Sequence, residues 1–231
     1  MSNPFFYDPP ENQVKGGVII DIMQTIVIAL AIFVFVYIFL AIPNQVDGQS
    51  MEPNFYHNEL LLTNKVIQYI GDKGIGERLN YDYKRGDVVI LHLPNNPDFI
   101  KRIIAGPGDT IMIINNKVVV NDKILNEAYI PTTTKTEPGT FLKEGVEVTI
   151  PQGHYFVMGD NRQASKDSRS ADVGFVSRDY LKGKVFLRWW PLNKFGLIGT
   201  GDFTEQEYQD DNDNSDNPEI SQLRLPQVLY N

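Results

Sequence analysis

Residues 26–42 form an unbroken run of seventeen apolar residues, rich in Ile, Val and Phe. No other stretch constrains the fold as strongly. Residues 18–25 extend it, interrupted by Asp21, Gln24 and Thr25. A helix over 18–42 would rise about 37 Å, enough to cross a hydrocarbon core of ~30 Å with some tilt. Pro43 is its expected stop. A core helix apolar on every face belongs to large proteins. A secretory leader needs a basic start, a shorter apolar run and a small-x-small end. Here only Lys15 lies nearby, and the segment ends Leu40-Ala41-Ile42-Pro43. The segment therefore reads as an uncleaved transmembrane helix. Lys15 precedes it and the next basic residue is Lys65, which points the N-terminus to the cytoplasm and the rest of the chain outward.

The other boundaries follow from composition. Residues 1–17 are polar, with Pro4, Pro9, Pro10 and Gly16-Gly17, and read as a flexible leader. Residues 43–200 form the main domain. Within it, short Val-, Ile-, Tyr- and Phe-rich runs alternate with Gly, Pro, Asn and Asp clusters. The expected strands are 60–66, 87–93, 99–104, 110–114, 118–120, 146–150, 155–158 and 184–189. Asn115-Asn116 reads as a hairpin turn, Gly106-Pro107-Gly108-Asp109 as a second turn, and 72–79 and 130–139 as loops. With no repeat and no βαβ alternation, this is a mostly β domain. Residues 201–231 form an acidic tail, expected to be disordered. From Asp202 on, eight acidic residues face only Arg224, so about −7 of the net −8 lies there. The body is nearly neutral and offers no basic face for nucleic acid. There is no cysteine, which excludes disulfides and thiolate metal sites.

Three stretches could carry chemistry. The first is Val46-Asp47-Gly48-Gln49-Ser50-Met51-Glu52-Pro53. An extended chain covers ~3.3–3.6 Å per residue, so Ser50 lies within roughly 25 Å of Pro43 and of the membrane surface. A second glycine for a G-x-S-x-G elbow is missing. His57, His92 and His154 have no metal-ligand spacing and read as ordinary surface histidines. A neutral lysine can activate a serine instead. Lys101 sits in Ile100-Lys101-Arg102-Ile103-Ile104, where strand alternation sends it and Arg102 to opposite faces. Burial among isoleucines would lower its pKa from ~10.4 towards the 7–8 a base needs. The plain alternative is a surface strand lysine. The third stretch, residues 159–169, packs turn formers, hydroxyls and both charges behind a strand. It is either a polar surface loop or a brace for catalytic groups.

Taken in order, these stretches resemble the bacterial type I signal peptidases, the membrane-anchored Ser/Lys endopeptidases. The matching boxes are the anchor, Gly48-x-Ser50-Met51-x-Pro53, Arg85-Gly86-Asp87-Val88-Val89, Ile100-Lys101-Arg102-Ile103 with Gly106-x-Gly108-Asp109, and Gly159-Asp160-Asn161-Arg162 through Ser165, Asp167-Ser168-Arg169 and Gly174. The resemblance runs to about Pro191 and implies a signal-peptidase/repressor-protease-like β domain. It also implies that Ser50 is the nucleophile and Lys101 the general base. Ser165 would bond the lysine amine, Asp167 would pair with Arg169, and Asp160 with Arg102. The oxyanion donor would be the Ser50 N–H. Some members add a serine hydroxyl two residues earlier, where this chain has Gly48. Val46, Met51, Phe55 and Ile100 would line shallow pockets for a small-x-small motif, or else be plain core. The implied partners are signal peptides of exported pre-proteins and the lipid bilayer. The enzyme is expected to be monomeric, with no metal and no cofactor. Trp189-Trp190 reads either as core or as a lipid-interface pair.

Two rivals remain. A self-cleaving repressor protease would need a DNA-binding unit and an Ala-Gly before the serine, but the only Ala-Gly is Ala105-Gly106. A non-enzymatic anchored β domain would have no use for a desolvated lysine facing a serine.

Overall fold

The computed structural model describes residues 14–39, 41–71, 74–79, 81–94 and 96–208. The leader expected at 1–17 lies outside these up to residue 13, and most of the acidic tail lies outside them as well. Helix α1 spans Val14–Phe39. Its stretch Gly17–Phe35 has a mean hydropathy of 2.6 and none of it is buried against the rest of the chain. By length and composition it can cross a bilayer.

The helix starts four residues earlier than expected, since nothing before Val18 stops it. It also ends sooner. Strand β1, Ala41–Gln45, takes up the end of the apolar run. Pro43 biases Ile42 away from the helical region and sits on a strand paired on one side only, where its missing N–H costs nothing. The chain continues with β2 (Leu60–Asn64), α2 (Val66–Ile70), α3 (Gly74–Arg78), β3 (Val88–His92), β4 (Asp98–Ala105), β5 (Thr110–Ile114), β6 (Lys117–Val120) and β7 (Lys123–Glu127). Then come β8 (Val148–Thr149), β9 (His154–Met158), β10 (Val176–Ser177), β11 (Leu181–Trp190), β12 (Gly196–Leu197) and β13 (Phe203–Glu207). The loop expected over 72–79 holds the short helix α3.

One sheet runs β1-β2-β11-β3-β4-β9-β10, with β12 on β11; the other runs β13-β7-β6-β5-β8. All the strand pairs are antiparallel. Asn115 and Asn116 have φ of 51° and 61°, the left-handed pair that a tight hairpin needs between β5 and β6. Asn121 and Asp122 repeat it between β6 and β7 with the same angles. Strand β13 corrects the expected tail: Phe203 to Glu207 pair with β7, and Glu205 reaches Arg85 at 2.9 Å and Lys123 at 2.9 Å. Alternating side chains and two ion pairs hold a segment that composition alone marks as solvated.

Trp189 and Trp190 are not core. They are 38% and 48% exposed, in a surface that also shows Leu192, Phe195 and Leu197.

Candidate active site

Ser50 lies in a turn closed by the Glu52 N–H donating to the Gln49 carbonyl at 3.1 Å. The turn is pinned from below. Val46, Met51, Phe55 and Ile100 are all buried and pack with Leu61, Val88, Ile90 and Val185. The four residues expected to line substrate pockets are thus packed in one apolar cluster, with Phe55 also bordering a cavity. Gly48 has a φ of 83°, a conformation costly for any residue with a Cβ, and its N–H donates to His57 Nδ1 at 3.2 Å. That backbone requirement is a physical reason for glycine where a hydroxyl could otherwise stand.

Lys101 is on β4 opposite Val89 of β3 and is 3% exposed. Its Nζ donates to Ser50 Oγ at 2.8 Å and to the Ile100 carbonyl at 2.9 Å. Burial pushes its pKa down to about 8, while the carboxylates of Asp167 and Asp160 pull it back up. An amine poised there is neutral often enough near pH 8 to take a hydroxyl proton.

Arg102 points the other way, as alternation requires. Its Nε and Nη2 donate to the two Asp160 oxygens at 2.8 and 2.7 Å, and its Nη1 donates to the Gly86 carbonyl at 2.9 Å. Tyr129 stacks on the guanidinium at 3.9 Å. Asp167 accepts from Arg169 Nε and Nη2 at 2.8 Å each and from the Gly159 N–H at 3.0 Å. Burial raises the Asp167 pKa, but the Arg169 bonds and charge outweigh this and hold the carboxyl below its usual range.

The geometry departs from expectation at Ser165. The amine's hydrogen bonds go to Ser50 and Ile100, not to Ser165. The Ser165 hydroxyl is buried and lies beside the Asp167 carboxylate. It packs on Gly159, where an added Cβ would lie 2.3 Å from both Ser165 Oγ and the Ser50 carbonyl oxygen. The close packing seats Ser165 over the glycine rather than against the amine.

Sequence reading missed several members of the site. Asn54 Nδ2 donates to Asp160 Oδ2 at 2.8 Å and to the Tyr129 carbonyl at 2.6 Å. Arg162, fully buried, pairs with Glu127 and donates to Thr136 Oγ1 at 2.7 Å. Asn161 binds the carbonyls of Ser50 and Gln49. Asn54 directly follows the serine motif and Asn161 stands inside the third one, so proximity could have flagged them. Glu127 and Tyr129 come from β7 and its exit, with no local signal. Cavities of about 640 and 490 Å³ flank this network, and neither is lined by Ser50 or Lys101. Among the described residues, no group of three His, Asp or Glu side chains could hold a metal ion.

A serine hydroxyl thus meets a buried amine of lowered pKa on a β scaffold that follows a membrane-length helix. The chain belongs to the family described as signal peptidase, peptidase S26, which it matches over residues 19–190. It is 33% identical over 187 residues to a signal peptidase I of Bacillus amyloliquefaciens, covering 80% of this chain and 95% of that one. It is 36% identical over 184 residues to signal peptidase I P of Bacillus subtilis subsp. natto, covering 78% and 94%. A solved signal peptidase I from Enterococcus faecalis V583 aligns at 28% identity over 45% of this chain and 96% of its own, with a TM-score of 0.38.

Proposed function

We propose that this peptidase removes N-terminal signal peptides from exported pre-proteins after small-x-small motifs, with Ser50 as nucleophile and Lys101 as general base. One observation carries the reading: the buried Lys101 amine lies 2.8 Å from the Ser50 hydroxyl. Neutral Lys101 takes the hydroxyl proton as Ser50 Oγ attacks the scissile carbonyl. The Ser50 N–H donates to the oxyanion. The lysine then returns its proton to the leaving amine of the mature chain, and the signal peptide remains as an ester on Ser50. Water, deprotonated by the same amine, releases it.

Val46, Met51, Phe55 and Ile100, packed together next to Ser50 in the chain or beside Lys101, are the lining this reading gives to the small side chains of that motif. An extended substrate adds as a strand along Val46–Gly48 and Ile100. In this reading α1 is a single-pass span with its N-terminus in the cytoplasm. The face bearing Trp190, Leu192, Phe195 and Leu197 rests on the outer bilayer surface, and the enzyme acts as a monomer.

The test is cleavage of an exported precursor by detergent-solubilised wild type, Ser50→Ala and Lys101→Ala. Both variants should be inactive. Near-wild-type turnover by either one rules out the Ser/Lys mechanism.

A further inference from the structure

The Gln49–Ser50 peptide unit is held from both ends of its carbonyl. Gln49 O accepts the Glu52 N–H at 3.1 Å and Asn161 Nδ2 at 3.2 Å. Both lone pairs of that oxygen are thus engaged. A trans peptide is planar, so its N–H points opposite its C=O. Fixing the Gln49 carbonyl therefore fixes the direction of the Ser50 N–H. That N–H has no hydrogen-bond partner of its own among the described residues. The next unit is held by the same residue, because the Asn161 N–H donates to the Ser50 carbonyl at 3.1 Å.

Asn161 is itself rigidly placed. Its neighbour Asp160 is buried against Arg102 and Asn54, and Gly159 abuts the Ser50 carbonyl so closely that no Cβ fits. Turn, clamp and pair thus form one unit. We infer that Asn161 is a positioning residue that aims the Ser50 N–H at the oxyanion through the Gln49 carbonyl. The inference rests on the proposed Ser50/Lys101 mechanism. It matters most in this chain because Gly48 supplies no side-chain donor, so the main-chain N–H carries the charge alone.

The role predicts a kinetic pattern that a merely structural residue would not give. Asn161→Asp keeps the shape of the side chain and loses the donor; Asn161→Ala loses both. An oxyanion contact forms only in the transition state, so its loss lowers kcat and leaves KM unchanged. Losing such a donor outright costs about 100- to 1000-fold, so misaiming it should cost roughly 10- to 100-fold. Asn161→Ala adds no charge beside Lys101, so its acid limb of kcat/KM should stay at the wild-type pH. Both variants are assayed on a signal-peptide-bearing precursor, below the melting midpoint of the less stable one, beside Ser50→Ala and Lys101→Ala. A rise in KM alone, a displaced acid limb in Asn161→Ala, or wild-type kcat would overturn the positioning role. If those outcomes accompany inactive Ser50→Ala and Lys101→Ala, only the Asn161 inference fails. If either of those two remains active, the underlying mechanism fails first.

Discussion

The Arg102 guanidinium and the Asp160 carboxylate meet through two contacts of 2.8 and 2.7 Å on the face of β4 opposite Lys101. The side chains of both are nearly inaccessible, at 4% and 1%. The pair ties the strand that carries the amine to the loop that holds the serine. Breaking a buried pair from one side leaves an uncompensated charge, at a cost of about 3–5 kcal/mol. Arg102→Ala and Asp160→Ala should each lower the melting temperature clearly, as read by thermal unfolding in detergent. The double variant should lose less than the sum of the two.

The pH dependence of turnover follows from Lys101. Its pKa is pushed down to about 8, and only the neutral amine acts as base. Activity should therefore fall about tenfold per pH unit below that value. Asp167 raises the lysine pKa, so Asp167→Asn should shift the acid limb of kcat/KM to lower pH. A shift to higher pH would contradict the electrostatic account.

The same burial makes Lys101 a burden on stability. The folded value of about 8 lies below the ~10.4 of an unfolded lysine. The fold disfavours the ammonium form, so at pH 7 it bears a penalty of about 3 kcal/mol. That penalty fades as pH rises from about 8 to beyond 10.4. Lys101→Met should accordingly melt higher than wild type at pH 7, lose this advantage in alkaline buffer and have no peptidase activity.

Gly159 is set by space, not by φ. An alanine Cβ would lie 2.3 Å from the Ser50 carbonyl oxygen. Gly159→Ala should push the serine turn off the lysine, and displacements of that size lower kcat by about a hundredfold. The pre-protein cleavage assay measures it.

Strand β13 makes a separate prediction. The Gly201 N–H donates to Gly86 O at 2.8 Å, and Thr200 Oγ1 donates to Asp87 at 2.8 Å, so this segment straps β13 across the Arg102 network. A chain ending at Gly201 should unfold at lower temperature, because it exposes the β7 edge and frees Arg85 from Glu205.

What the sequence determined by itself was local. The apolar run and its extension back to Val18 are enough to prescribe a membrane-length helix, because the bilayer reads only length and polarity. Strand alternation alone separated Lys101 from Arg102, and the Asn115-Asn116 pair alone marked its hairpin. Tertiary structure decided what depends on distant partners. The apolar run gave up its last residues to β1 because β2 supplied the ladder, and β13 formed because β7 offered an edge. The Lys101 pKa depends on how completely β3, β4 and the serine turn exclude water. Ser165 packs against Gly159 across the loop, and the amine's hydrogen bonds go to Ser50 and Ile100. Asn161 reaches a carbonyl 112 residues away. Side-chain chemistry and period are written along the chain, but desolvation and hydrogen-bond direction exist only once separate segments are packed against one another.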